Sequence, residues 1–518
     1  MKKLLIIGTV WPEPTSSAAG SRMMELVRLF SEADFAVTFS SIAAKSDYSV
    51  SLMELRVTEV PIRLNDSSFD DFVRDLQPDV VIFDRYFSEE QFGWRVAEMC
   101  PDAVRVLDTE DVHFLRSARK RMLRQIENPD VLVEPQDDIS MILSEPVALR
   151  EIAAMYRCDV SLIISTAEMQ LLERVFRFPS ELLFHLPFLE TARVENLPDF
   201  AQRQNFVSIG NFLHEPNADA VRQLKSTIWP LIRSRLLEAE LHIYGAYANE
   251  SVLQMHNPRE GFIVKGRAED ALETIKNYRV LLAPLRFGAG IKGKLIDAMR
   301  AGTPSVTTRI GSEGLEIGDS VMSEVGRQEA VCSSNDASEF LHQGSVSEES
   351  HISTSELSTI NVTDRSPGSI VEKQLNNENS SKIFKAASDY PKSTVNKEYS
   401  DVTNESRKAL RLTNSTPTHT QPFLIANNVS DFVDAAVTLY SGESTSASLW
   451  KSYSNAGFKT LSQMRPTGHE LLNKIHAIGA DISSYRAQNF IGKMLTHHTM
   501  SSTKYMSRWI EAKNKPKV

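Results

Sequence analysis

Residues 284–315, PLRFGAGIKGKLIDAMRAGTPSVTTRIGSEGL, restrict the possible folds more than any other stretch of the chain. The apolar run VLLAPL that leads into them reads as a buried strand, and the glycines at 288 and 290 open a loop. An amphipathic segment starts near Ile291. Ala-Gly-Thr-Pro, a second apolar run and another glycine turn follow. The order is strand, loop, helix, strand, loop. The glycines allow backbone to approach a ligand closely, and the helix directs its free N–H groups at the loop. With Arg286, Lys292 and Lys294 beside that helix start, the segment predicts a phosphate site. Asp297 lies three residues past Lys294 and shares its helix face. A carboxylate able to accept hydrogen bonds from sugar hydroxyls is thereby placed about one turn from the cations.

The same alternation runs through the chain. Strand-like segments at Lys3–Ile7, Ala36–Phe39, Val80–Phe83, Val104–Leu107 and Val160–Ile164 are separated by helix-length stretches, including Ser21–Ser31 after a small-residue loop that ends at Gly20. Strands that are apolar throughout predict a parallel sheet covered on both faces. A second unit opens at Phe206–Ile209, followed by Gly210 and a helix over 218–233. Further strands lie at Leu241–Tyr244, Ile263–Val264 and Val280–Ala283. The expectation is an α/β protein of two Rossmann-like, doubly wound domains facing a cleft at their strand C-termini. Their spans are 1–200 for the first, and 201–319 with 422–480 for the second. Residues 320–421, rich in Ser, Thr, Asn, Glu and Lys, contain four aromatics, Phe340, Phe384, Tyr390 and Tyr399, and read as a disordered insertion in a surface loop. Residues 481–518 carry seven Lys or Arg against two acids and read as a basic, solvated tail, with peripheral contact to an anionic membrane surface as the alternative.

Charge and cysteine content exclude other classes. A net charge of −10 argues against nonspecific nucleic-acid binding. Cys100, Cys158 and Cys332 are too widely spaced for a disulfide framework or a CxxC site, which fits a reducing, cytoplasmic compartment. The N-terminal apolar run stops at Trp11-Pro12 and reads as a first strand rather than a signal core. No stretch is long and apolar enough to span a bilayer.

The segment Asp297-Ala298-Met299-Arg300-Ala301-Gly302-Thr303-Pro304-Ser305-Val306, closing with Gly314-Leu315, resembles the donor-binding signature of the retaining GT-B glycosyltransferases of family four. Residues 206–217 resemble that family's opening of the nucleotide domain, in the branch with His-x-Pro-Asn (His214 to Asn217) in place of Lys-Gly. The resemblance implies transfer of a sugar from a nucleotide-diphosphate donor to a saccharide, lipid-linked or other hydroxyl acceptor, with retention and without a metal or other cofactor. It puts Gly210, Arg286, Gly290, Lys292, Lys294, Asp297 and Glu313 on the donor nucleotide and diphosphate. It puts Gly20 in the acceptor-side loop and His113 in the catalytic position. The family often has an acidic pair, of which the second is Asp297 here and the first falls on Ala289. That departure keeps two further readings open, a GT-B-shaped binding or scaffold protein without turnover and a sugar-nucleotide epimerase. Asp108, Glu110 and Asp111 permit a third, carboxylates that hold a metal. Glu168, in Ser-Thr-Ala-Glu, reads as structural.

Overall fold

The structure, a computed structural model, describes residues 1–126, 137–315, 421–441, 444–464 and 467–514. All but the last residue of the expected insertion falls outside the described residues. The first sheet comprises β1 (Lys3–Gly8), β2 (Ala36–Ser41), β3 (Thr58–Pro61), β4 (Val80–Asp84), β5 (Val104–Asp108), β6 (Val160–Ile163) and β7 (Leu183–His185). Its order is β3-β2-β1-β4-β5-β6-β7, and every neighbouring pair is parallel. The second sheet comprises β8 (Gln204–Ile209), β9 (Leu241–Tyr244), β10 (Phe262–Gly266), β11 (Tyr278–Ala283), β12 (Ser305–Thr307) and β13 (Phe423–Ile425), in the order β10-β9-β8-β11-β12-β13, again all parallel. The apolar strands form because both faces are buried, as in β1 and β4, where nearly every side chain is hidden from solvent.

The helices needed below are α1 (Ala18–Glu32), α2 (Ser68–Leu76), α3 (Arg85–Met99), α4 (His113–Leu123), α5 (Pro146–Arg157), α6 (Thr166–Arg174), α7 (Glu215–Gln223) and α8 (Gly293–Arg300). After β13 come α9 (Val429–Tyr440), α10 (Ser444–Gln463), α11 (Gly468–Ala480), α12 (Ile482–Ala487), α13 (Phe490–Ser501) and α14 (Thr503–Asn514). The helix expected over 218–233 begins three residues earlier, and a π-helical turn over Leu224–Ile228 joins α7 to a final stretch, Trp229–Arg235. Pro230 explains the wide turn, since a proline ring clashes with the carbonyl four residues back and donates no N–H.

Two expectations for the C-terminal region need correction. Residues 468–480, included above in the span of the second domain, return to the first, as a C-terminal helix of the resembled family often does. Leu471, Leu472, Ile475 and Ile478 of α11 join the core made by Leu4, Ile6, Phe30, Val80 and Val104. Residues 481–518, expected as a solvated tail, form the three helices α12, α13 and α14 up to Asn514, seated on the first domain with most of their side chains still exposed. Several of their charges serve as anchors: the Arg486 guanidinium meets both carboxylate oxygens of Asp159 at 2.7 Å, and Lys504 meets Glu98 at 2.6 Å. Among the described residues no helix is long and apolar enough to cross a membrane.

In each sheet the strand order reverses direction at one place, between β1 and β4 in the first and between β8 and β11 in the second. Crevices open beyond the strand C-termini at such switch points. Here the loops after β1, β4 and β5 and the loops after β8, β9 and β11 line one cavity of about 570 Å³.

Candidate active site in the cleft between the two sheets

One wall of the cavity is the turn from β11 into α8. Lys292 occupies the N-cap position of α8 with no side-chain cap, so the first-turn N–H groups are left for a ligand. Lys292, Gly293, Lys294 and Asp297 all line the cavity, as do Gly20, Gly210 and His113. The predicted neighbours Lys294 and Asp297 are therefore brought together as expected. The Lys294 ammonium donates to Asn217 Oδ1 at 2.8 Å. Burial, then the neighbouring Lys292 charge, lowers the Lys294 pKa to about 7. Burial raises the Asp297 carboxyl to about 7.

Three predicted donor residues are placed differently. Arg286 does not line the cavity: its Nε and Nη2 donate to the two carboxylate oxygens of Asp219 at 2.9 and 2.7 Å. A buried arginine needs such a planar partner more than it needs a solvated loop, and an acid on the facing helix α7 was not legible from spacing. Glu313 accepts from both terminal nitrogens of Arg119, at 2.7 and 2.8 Å, so it too is committed within the protein. Gly290 backs the cavity rather than lining it. Its φ of +66° and the 2.9 Å that would separate an added Cβ from Asp111 Cβ leave room for glycine alone. Lys292, although in the lining, bonds the backbone oxygens of Ala289 and Gly290 at 3.0 and 2.5 Å and so rigidifies its own loop.

The opposite wall belongs to the first domain. Gly20 lies in the first turn of α1, which is capped by Ser17 Oγ accepting from Gly20 N at 3.0 Å. A Cβ at Gly20 would sit 2.4 Å from Glu13 O, so the close pass of the β1 loop over α1 requires glycine. His113 begins α4, and its Nε2 lies 3.2 Å from Asp111 Oδ1. Burial lowers the His113 pKa, leaving a neutral imidazole whose Nε2–H donates to Asp111. Val112 at the N-cap offers no side-chain acceptor, and two carboxyls from other helices replace it. Glu168 Oε1 accepts from Val112 N at 2.9 Å, while Glu151 accepts from His113 N and Phe114 N at 3.2 and 3.1 Å. Burial pushes both of these carboxyls up to about 8. Glu168 thus has a role in holding the His113 turn.

Two of the three carboxylates of the rival metal reading, Asp108 and Asp111, are engaged by side chains of the protein. Arg22 donates twice to Asp108 Oδ1, at 3.1 and 2.9 Å, and Asp111 faces His113 and Arg116. Among the described residues no group of three or more His, Cys, Asp or Glu is arranged to hold a metal ion.

Sequence reasoning missed several lining residues. Arg116, one helical turn after His113, meets Asp111 Oδ2 at 3.1 Å and His214 Nδ1 at 3.3 Å. Arginine donates only, so His214 Nδ1 accepts and its proton sits on Nε2. Burial, then the Arg116 charge, lowers the His214 pKa to about 3. The i, i+3 spacing to His113 could have flagged Arg116. Arg85, Glu110 and Tyr247 line the cavity with φ of 65°, 63° and 58°. Left-handed backbone at non-glycine residues costs about 1–3 kcal/mol each and clusters where function demands a fixed geometry. No residue pattern announces it.

The family described as Glycosyl transferases group 1 matches residues 203–343. The fold is GT-B. Staphylococcus aureus TarM, in a crystal structure with fondaparinux, alpha-GlcNAc-glycerol and UDP, is 10% identical with a TM-score of 0.53. The match covers 92% of this chain and 100% of that one. Sucrose-phosphate synthase from Thermosynechococcus elongatus is 14% identical, TM-score 0.42, over 60% of this chain and 82% of that one. Anabaena HepE, in complex with UDP and glucose, is 10% identical, TM-score 0.42, over 61% and 84%. At such identities the likeness to TarM is one of fold. No curated protein matches the chain.

Proposed function

We propose that this protein is a glycosyltransferase that moves a sugar from a nucleotide-diphosphate donor to a hydroxyl acceptor, with retention and without a metal. The observation that carries the reading is the cavity at the two facing switch points, with Lys294, Asp297 and the open N-terminus of α8 on one wall and His113 on the other. Leaving-group charge builds on the diphosphate as the glycosidic bond breaks. A cation and helix N–H groups fixed in advance stabilise it without reorganisation. Arg85, Arg116, Lys292 and Lys294 supply positive charge to the cavity, which supports a metal-independent mechanism. Retention rests on the resemblance of residues 284–315 to the family-four enzymes. Asp297 is the ribose ligand, and His113, neutral and aimed by Asp111, contacts the transferred sugar.

A thermal-shift screen against nucleotide sugars identifies the donor, since ligands that bind only the folded state raise its melting point. His113→Ala is expected to lower kcat about a hundredfold with nucleotide affinity unchanged, the typical cost of one polar contact to developing charge. An unchanged rate removes His113 from the chemistry. A second reading, nucleotide binding without turnover, is favoured by Ala289, which lines the cavity where the family has an acid. Binding with no donor hydrolysis or transfer across the panel would decide for it.

The pH dependence follows from Lys294. Its pKa of about 7 in the free site means that the ammonium is charged below that value and lost above it. A bound diphosphate favours the charged form, so binding takes up a proton above pH 7. In Asp297→Asn protein, which removes the titration of the other group, donor affinity should be level below pH 7. Above it, affinity should fall by up to about tenfold per pH unit. Isothermal titration in buffers of different ionisation heat would detect the proton uptake, and a level profile across pH 6–9 would contradict it.

A further inference from the structure

Helices α13 and α14 lie on the first domain and share one surface pattern. Phe490, Ile491 and Met494 are 74%, 43% and 43% exposed, and Tyr505, Met506 and Trp509 are 64%, 59% and 59% exposed. In each helix the three occupy positions i, i+1 and i+4, which fall on one face. A buried small residue stands at i+2 in both, Gly492 and Ser507, and faces the domain. A Cβ at Gly492 would lie 2.2 Å from Tyr156 O of α5, so α13 is seated closely. Ser507 Oγ accepts from Arg95 of α3 at 3.1 Å and donates to Asn65 at 2.8 Å, which seats α14. The apolar faces are therefore held outward by ordered packing on the other side.

The charges on these faces have one sign. Lys493 and Lys513 are exposed among the apolar residues, as is Arg508, whose Nη2 lies 3.6 Å from Glu98 of α3, and no exposed position on either helix is acidic. Glu511 is drawn to Ser67 at 2.6 Å, on the domain side. A basic, apolar surface on a chain with a net charge of −10 is a local reversal. A two-fold contact with a second copy would set these cations against themselves. An anionic lipid surface complements both features, since Trp and Tyr settle at headgroup level and each nearby Lys or Arg adds attraction.

We propose that α13 and α14 dock the protein on an anionic bilayer surface. Phe490, Met494, Tyr505 and Trp509 enter the boundary between headgroups and acyl chains, and Lys493, Arg508 and Lys513 sit among the headgroups. This docking is independent of what the cleft binds.

The test is sedimentation of the full-length protein with vesicles of phosphatidylcholine alone, or of phosphatidylcholine mixed with phosphatidylglycerol. The protein should pellet with the mixed vesicles, remain in solution with the neutral ones, and be released by salt. Lys493→Ser with Lys513→Ser should weaken partitioning about 25-fold, at about fivefold per lysine. Phe490→Ser with Trp509→Ser should weaken it about tenfold or more through lost apolar burial. All four positions are exposed, so both variants should keep the wild-type circular-dichroism melting curve. Equal partitioning to neutral and anionic vesicles, no partitioning, or partitioning unchanged in the variants would each overturn the proposal. So would a dimer in sedimentation equilibrium that Trp509→Ser dissolves, because it would assign the face to a second copy.

Discussion

Replacing Lys294 with alanine is expected to weaken binding of a nucleoside diphosphate about 10- to 100-fold, and to leave binding of the bare nucleoside unchanged. The reasoning is one of availability. Arg286 is bound to Asp219, and Lys292 is tied to the backbone oxygens of its own loop. Lys294 is held by the neutral amide oxygen of Asn217, which a phosphate oxygen outcompetes. A hydrogen bond to a charged group contributes about 1.5–3 kcal/mol, which sets the range. Isothermal titration with the diphosphate and the nucleoside side by side measures the difference. Equal losses for both ligands would mean that Lys294 shapes the pocket and does not touch phosphate.

The second large effect is expected at Arg119, on α4. Its Nε and one Nη2 hydrogen go to the Asp137 carboxylate at 2.8 and 2.7 Å, and its remaining hydrogens go to Glu313 and to Gly288 O at 2.7–2.8 Å. All five guanidinium donors are thereby used. Burial is offset by the adjacent Glu313 and Asp137 charges, which raise the Arg119 pKa well above its ordinary value. Arg119→Ala strands Glu313, whose side chain is 19% exposed, and returns the more open Asp137 to water; losing hydrogen bonds to a charged group of this kind costs about 1.5–3 kcal/mol. The expected result is a melting point lowered by several degrees and a raised KM for the donor, because Gly288 belongs to the glycine loop. Arg119→Lys should rescue little, since an ammonium offers three donors and no planar fork. An unchanged melting point in Arg119→Ala would show that the clamp is not formed in solution.

These two cases also mark what the sequence could disclose. The central strands of both sheets were legible because burial on two faces forces continuous apolar runs, as in Leu4–Ile7 and Val80–Phe83, whereas the short edge strands β3 and β7, only partly buried, were not. The Lys294–Asp297 pairing was legible because helical spacing places it on one face. The partner of Arg286 was not, because Asp219 lies on α7, far away in sequence, and a cation in a glycine loop has the same local signature whether it meets a ligand or an acid. The return of α11 to the first domain left no trace in its periodicity, since an amphipathic helix does not say which core it covers. The strained turns at Arg85, Glu110 and Tyr247 are set by tertiary packing around ordinary residues.

The path of the chain through the two lobes has a bearing on biogenesis. The sheet face lined by Leu4, Ile6 and Val80 is sealed by Leu471 and Ile475, which leave the ribosome only after all strands of the second sheet have been made. Until then a greasy surface stays open on the earlier lobe, and nascent chains with such surfaces are prone to aggregate. Chains that stall before residue 471 would leave that surface uncovered and be natural clients for chaperones.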